Sequence, residues 1–347
     1  MMPNAPLACS PVPAGAGRAW SLLAGLAALA LLSIPLACAF GSVQLSPAEL
    51  AGGFEHLLRG APADLSTTLL ELRLTRVLVA MTTGAALALA GTMMQALLRN
   101  PLADPYVLGI SGGAAAGALG ALLFAAAAWM VDAAAFGGAL AVTLLLFALA
   151  HRDLRNGMAE GNASLLLLTG VILASGCGAL VTLIISLAPD DSLRSMVFWL
   201  IGDLSGAQWR WWPALVLAAG LAFCLPAARS INVLTMHAET AVTLGVRTGL
   251  LRQGLFVCGA MLTAGAVATA GSIGFVGLIV PHACRFAFGA DHRILLPAAT
   301  LSGGIFLAFA DTLARCIAAP QQLPVGVITS LIGVPVFLLQ LHSVRRR

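Results

Sequence analysis

Most of this chain consists of long apolar segments separated by short polar ones, and only a lipid bilayer accommodates such a sequence. Of its 347 residues, 60% are hydrophobic and 9% are charged, and the mean hydropathy is +0.97. A soluble domain carries roughly a quarter charged residues, so the charges here are too few to cover a water-exposed surface. The chain is therefore predicted to be an all-α polytopic membrane protein.

Ten segments are predicted as transmembrane helices, most of them near the ~20 residues that a span needs. The first resembles a signal sequence ending at Cys38. It is as long as a span, however, and has Pro35 where a lipoprotein cleavage site has an aliphatic residue, so we interpret it as a retained span. Residues 192–206 are short and mixed, which predicts an interfacial or re-entrant helix. The ten predicted spans are 19–40, 73–97, 106–128, 133–150, 163–187, 210–227, 251–271, 274–287, 294–317 and 324–342.

The distribution of arginine predicts the orientation of these spans. If both termini are cytoplasmic, most of the arginines fall in cytoplasmic loops, as the positive-inside rule requires. An even number of spans also keeps the basic C-terminus on that side. The sequence thus predicts a cytoplasmic tail at 1–18, a single transmembrane domain at 19–342 and a basic cytoplasmic tail at 343–347.

The residue types that are missing exclude several kinds of chemistry. All 18 basic residues are arginine, so the chain can form neither a lysine-containing phosphate loop nor a Schiff base. If ATP drives this protein, another chain must bind it. The net charge of +4 is small and predicts no nucleic-acid partner. The seven cysteines include no C-x-x-C pair, so no metal site is predicted.

No cluster of acids, metal ligands or nucleophiles suggests a catalytic site, which disfavours a membrane enzyme. A secondary transporter is a further alternative. Proton coupling requires carboxylates inside spans, and almost every charge here lies near the end of a predicted span, which disfavours this alternative. Asp311 and Arg315 are the main charges within a predicted span, and their spacing of four lets them pair on one helix face.

Three glycines, Gly109, Gly113 and Gly117, follow one another at intervals of four and share a helix face. Small residues at this spacing allow two helices in lipid to approach closely. We expect this stripe to pack against a neighbouring helix. A functional version of the hypothesis adds that the packing positions the helix beside a transport pathway.

Two long stretches of the chain, at about 73–109 and 274–337, contain specific motifs in a fixed order. The first stretch has two arginines before a glycine- and alanine-rich span, and the second has two spaced glycines, Gly274 and Gly277, before a Pro-His pair. The motifs are Arg73-Leu74-Thr75-Arg76, Arg99-Asn100-Pro101-Leu102-Ala103-Asp104-Pro105, Gly274-Phe275-Val276-Gly277-Leu278-Ile279-Val280-Pro281-His282 and Leu323-Pro324-Val325-Gly326-Val327.

Over about residues 45–342, this arrangement resembles the FecCD-type permeases, the membrane subunits of ABC importers for iron-siderophores, haem and cobalamin. The resemblance implies a cobalamin-permease-like fold in a bacterial inner membrane, working as a homodimer or a pair of related permeases. Two ATP-binding subunits and a periplasmic substrate-binding protein are the implied partners. ATP is used by the partner subunit and no cofactor is bound directly. The implied cargo is an iron chelate, either a siderophore or haem, with cobalamin as the alternative.

The resemblance also assigns a docking role to three arginines. In relatives, arginines at the positions of Arg73, Arg76 and Arg315 face the periplasm and pair with glutamates of the binding protein. Arginine suits this role because it forms bidentate pairs with carboxylates. Arginine side chains that extend to the lipid interface are the alternative. Thr75 and Gln322 depart from the family pattern, which has proline and an acid there.

The loop at about 229–250 corresponds to the element that couples relatives to their ATPase. We expect a short helix that fits a groove of that subunit. Residues 237–238 depart from the family pattern, so the polar contacts are expected to differ. The residues that keep the pattern are Glu239, Ala241, Leu244 and Gly245.

The residues before the fifth span match the inner gate position of the cobalamin permease. They are Asn162, Ala163 and Ser164. Small polar residues suit a constriction that opens and closes again.

Overall fold

The computed structural model describes residues 16–41, 43, 46–59, 64–156, 162–236, 241 and 243–345. Almost all of this described chain is helical and none of it is strand, so the prediction of an all-α fold is confirmed. A short 3₁₀ turn, Pro105–Leu108, precedes the fourth helix. The helices are α1 (Ala16–Ala39), α2 (Pro47–Arg59), α3 (Leu65–Leu98), α4 (Ile110–Leu123), α5 (Ala128–Asn156), α6 (Asn162–Leu187), α7 (Asp190–Ile201), α8 (Trp211–Met236), α9 (Thr248–Ala270), α10 (Val276–Phe288), α11 (His292–Cys316) and α12 (Val325–Arg345).

Seven of the described helices are long and apolar enough to cross a membrane: α1, α3, α5, α6, α8, α9 and α11. Three shorter apolar helical segments belong to α4, α10 and α12. Each of the ten predicted spans overlaps one of these helices, although several of the ends differ. The segment predicted as interfacial or re-entrant forms α7 and the turn after it.

The third helix begins eight residues before the predicted span at 73–97. Asp64 caps it, because its carboxylate accepts a hydrogen bond of 2.7 Å from the backbone N–H of Thr67. The hydrogen bonds at this cap also lower the pKa of Asp64 to about 2. The polar first turns therefore continue the helix beyond its apolar part, and hydropathy alone does not reveal that extension.

Helix α3 lies at the centre of the molecule, where it packs against α1, α2, α8, α9, α10 and α11. In its most apolar stretch 83% of the residues are buried, against 11% in α6. Glycine makes the central contacts possible. A Cβ added at Gly84 would fall on the carbonyl oxygen of Gly303 in α11, and one at Gly91 on that of Gly277 in α10. The helix backbones are thus in direct contact, as small residues allow in lipid.

The glycine stripe is divided between two neighbours. A Cβ at Gly113 would meet the carbonyl oxygen of Gly138 in α5 at 2.5 Å, and one at Gly117 would fall on that of Ala134 in the same helix. Gly109 precedes α4 and ends the 3₁₀ turn with φ +80°, where it faces Gly170 of α6. The positive φ and the turn at Pro105 take Gly109 off the regular helix, which even spacing does not predict.

The bundle has two ends, which we name after residues that lie there. The Arg315 end contains the C-terminal ends of α1, α9 and α11 and the N-terminal end of α3. The Arg285 end contains the C-terminal ends of α3 and α10 and the N-terminal end of α9. In the predicted orientation, the Arg315 end is periplasmic and the Arg285 end is cytoplasmic.

The contact between α4 and α5 predicts that even alanine is too large at position 113. Gly113→Ala forces the two backbones apart, and we expect it to cost ~1–3 kcal/mol of stability, the usual range for overpacking. Gly120→Ala on the same helix is the matched control, because a Cβ there meets nothing within 4 Å. It should keep or slightly raise stability. Thermal unfolding of the purified variants measures both effects. Equal melting temperatures for Gly113→Ala and Gly120→Ala would contradict the packing argument.

Transport measured on the same variants separates the two versions of the glycine hypothesis. If the stripe only packs, uptake by Gly113→Ala falls in proportion to the folded protein. If it also positions the pathway, uptake falls further than the amount of folded protein does.

Candidate functional site

The three predicted docking arginines come together at the Arg315 end, around one buried carboxylate. Asp311 of α11 is fully buried. A guanidinium nitrogen of Arg76, on α3, lies 2.8 Å from Asp311, and the Nε of Arg315 lies 3.1 Å from it. The expected pairing of Asp311 with Arg315 is thus confirmed, and Arg76 is a second partner. Gln322 accepts a further hydrogen bond from Arg76.

Two of these arginines also hold the end of α1. Arg73 donates to the carbonyl oxygen of Cys38 at 2.9 Å and also to that of Ala39. Arg315 donates to the carbonyl oxygen of Ala37 at 3.1 Å. The last carbonyls of a helix have no partner within it and carry partial negative charge, so two cations stabilise them well. The cluster therefore joins α1, α3 and α11 at this end.

All three arginine side chains are buried within the single chain. Their exposed fractions are 8% for Arg73, 7% for Arg76 and 5% for Arg315. The positive charges are therefore at the predicted periplasmic end, but they are directed inward to Asp311 and to backbone carbonyls. Their contact with a binding protein stays a prediction.

The coupling loop has a well-defined end. The backbone N–H of Val246 donates to the carbonyl oxygen of Ala241 at 3.0 Å, and Gly245 has φ +77°. This combination is typical of a glycine that terminates a helix. Ala241 is buried, whereas 65% of Leu244 is exposed at the Arg285 end. Glu239 lies outside the described residues.

The predicted gate residues Asn162, Ala163 and Ser164 form the first turn of α6, at the Arg285 end. Their side chains lie outside the described part of the structure. These residues begin α6, and the sequence analysis did not identify an exposed surface of this helix.

One face of α6 has an exposed stripe of small and hydroxyl residues. Ser175, Ala179, Thr182 and Ser186 follow one another at intervals of three or four, which puts them on one side of the helix. Each hydroxyl donates to the carbonyl oxygen four residues earlier, at 2.8 or 2.9 Å. The stripe is therefore polar in composition without unsatisfied donors. The spacing of these residues by three or four is the feature of the sequence that could have predicted the stripe.

A cavity of about 420 Å³ with both apolar and charged lining residues lies at the Arg315 end, between α5, α7, α9 and the segment before α8. Asp132 and Arg210 form an ion pair of 2.8 Å in its wall. The guanidinium carbon of Arg194 lies 5.4 Å from the ring centre of Phe198. A solute entering from this end would meet paired charges and aromatic surface. Among the described residues, no group of three His, Cys, Asp or Glu side chains could hold a metal ion.

Known membrane permeases are similar to this chain over most of its length. The haemin transport permease HmuU of Yersinia pestis is 40% identical over 320 residues, which cover 89% of this chain and 92% of that protein. The cobalamin import permease BtuC of Halobacterium salinarum is 39% identical, covering 82% and 76%.

A solved structure of an inward-facing, metal-chelate-type ABC transporter superposes with a TM-score of 0.77 at 28% identity, covering 93% of this chain and 99% of that one. The model of the FecCD transport family matches residues 28–343. This multi-span helical protein therefore belongs to the FecCD transport family, whose members are permease subunits of ABC importers and not themselves enzymes.

Proposed function

We propose that this chain is the permease subunit that carries an iron chelate, haem or a siderophore, across the bacterial inner membrane. The observation that carries this proposal is the family match over residues 28–343. The 40% identity to a haemin permease supports haem as the first cargo to test. Identity of 39% to a cobalamin permease favours cobalamin as the alternative. Asp311 is paired with two arginines, so it is not a free carboxylate of the kind that a proton-coupled carrier uses.

The α6 stripe supports a pathway shared with a second permease copy. Helix interfaces within lipid use small and hydroxyl residues, whereas lipid-facing surfaces need only apolar ones. A second copy, or a related permease, packed near this face would enclose a path lined by Ser175, Thr182 and Ser186. Asn162 to Ser164 at the start of the same helix would gate that path.

The two ends of the bundle receive different partners in this proposal. Both termini are cytoplasmic, and two ATP-binding subunits dock at the Arg285 end through Leu244 and its neighbours. The binding protein docks at the Arg315 end. Because the chain contains no lysine, the phosphate loop for ATP is on the partner subunits.

Uptake into proteoliposomes tests the proposed function. The permease is reconstituted with its ATPase and loaded binding protein, and haem, ferric siderophore and cobalamin are offered separately. We expect ATP-dependent uptake of an iron chelate. Uptake of cobalamin alone would select the alternative cargo, and uptake that proceeds without the ATPase would contradict the proposal.

The docking hypothesis is best tested at Arg73, whose partners are carbonyls and not Asp311. Arg73→Gln should weaken binding of the binding protein about tenfold or more, and more at low salt than at high salt. The matched control is Arg59→Gln, because Arg59 is an exposed arginine of α2 paired with Glu55. Titration of the binding protein at two salt concentrations measures both variants.

Asp311→Asn separates docking from folding. It disturbs the buried cluster but leaves all three positive charges in place. Breaking a buried pair costs ~3–5 kcal/mol, so we expect a clear loss of thermal stability. If docking depends on charge, the folded fraction of Asp311→Asn still binds normally. If Arg73→Gln binds normally and Asp311→Asn does not, these arginines act only on the fold.

The coupling hypothesis predicts that Leu244→Asp assembles poorly with the ATPase. A charge placed in an apolar contact loses that contact and its desolvation is unfavourable. We expect uptake to fall about tenfold or more, which corresponds to ~1.4 kcal/mol, with little change in thermal stability because the side chain is exposed. Leu102→Asp, an exposed leucine at the same end, is the control. Normal uptake by Leu244→Asp would show that the loop does not couple the subunits.

A further inference from the structure

One buried arginine at the Arg285 end has no acidic partner among the side chains that the structure describes. Arg252 lies in the first turns of α9, and only 2% of it is exposed. One of its terminal guanidinium nitrogens has no hydrogen-bond partner. A buried charge is normally paired, because the loss of hydration is otherwise uncompensated. The position of Arg252 thus calls for an anion.

The surroundings of Arg252 make this need stronger. Among the described residues, the charged group in electrostatic range of Arg252 is a second cation, Arg99, at the end of α3. The N-terminus of α9 adds partial positive charge, and its N-cap residue, Arg247, provides no side-chain acceptor for the free N–H groups. Arg252, Arg99 and a helix N-terminus therefore add positive charge at this end, and no described carboxylate offsets it.

Two acids at this end have described side chains, Asp104 and Asp291, and both are occupied elsewhere. The carboxylate of Asp104 accepts a hydrogen bond of 2.7 Å from the backbone N–H of Tyr106, and burial raises its pKa to about 6. Asp291 is paired with Arg293 at 2.8 Å and accepts from Asn232. Hydrogen bonds from Arg293 lower its pKa to about 2. Neither acid neutralises Arg252.

We propose that Arg252, with Arg99 and the N-terminus of α9, forms a binding site for a phosphate group. Guanidinium groups bind phosphate oxygens in pairs, and helix N-termini favour the same ligand. Arg252 is four residues into α9, about 6 Å from its start. In the predicted orientation this is the cytoplasmic end of a membrane-spanning helix, where basic pockets between helices bind anionic lipids. The phosphate belongs either to a phospholipid headgroup or to a soluble phosphate.

The full-length permease, purified in detergent and freed of lipid, provides the test. Thermal unfolding is followed while phosphatidylglycerol, phosphatidylcholine or inorganic phosphate is added, with chloride at equal ionic strength as the blank. We expect phosphatidylglycerol to raise the melting temperature of the wild type by several degrees. Arg252→Gln should lose that rise. Arg229→Gln, which removes an exposed arginine of α8, should keep it.

The melting temperature without added lipid distinguishes a ligand site from a structural role. An unpaired buried cation destabilises the chain, so Arg252→Gln should melt at the same or a higher temperature than the wild type when no phosphate is present. A rise produced by inorganic phosphate as well would identify a soluble phosphate as a ligand of the same site.

Three results would overturn the proposal. One is a wild type that no phosphate compound stabilises. Another is an Arg252→Gln variant that responds to phosphatidylglycerol as the wild type does. The third is stabilisation that requires the ATPase subunit, because the anion would then be a carboxylate of that partner.

Discussion

Direct contact between helix backbones is the interaction on which this structure depends. Apolar side chains gain little by leaving lipid for one another, so helices in a membrane associate through close packing. Helix α3 achieves this at Gly84 and Gly91, which touch the backbones of α11 and α10. The same contact recurs where Gly113 meets α5. Because no side chains separate them at these positions, the helices pack into a compact centre. This packing fixes the positions of the residues at both ends of the bundle.

The buried cluster at the Arg315 end links three helices through charge. Asp311 pairs with Arg76 and Arg315, and Arg73 and Arg315 hold the final carbonyls of α1. The arginines that the family resemblance assigns to docking therefore also maintain the fold. We expect a substitution among them to change stability whether or not they dock a partner, which is why stability and binding have to be measured together.

The two ends of the molecule treat positive charge differently. At the Arg315 end, one carboxylate and several carbonyl oxygens compensate the arginines within the chain. At the Arg285 end, Arg252 is within electrostatic range of Arg99, and no described acidic side chain pairs with it. In the first arrangement the charges are compensated within the chain, whereas no described acid compensates the second one, which is why we propose a phosphate ligand there.

The sequence alone determined the class of this protein and the positions of most helices, because hydropathy and helical spacing are local properties. It also predicted the pairing of Asp311 with Arg315, which share a helix face. Tertiary structure decided that Arg76 joins them from 235 residues away and that α3 is buried whereas α6 is exposed. Helix-facing and lipid-facing surfaces are both largely apolar, so hydropathy does not separate them. Only the arrangement of the helices reveals which surface remains free.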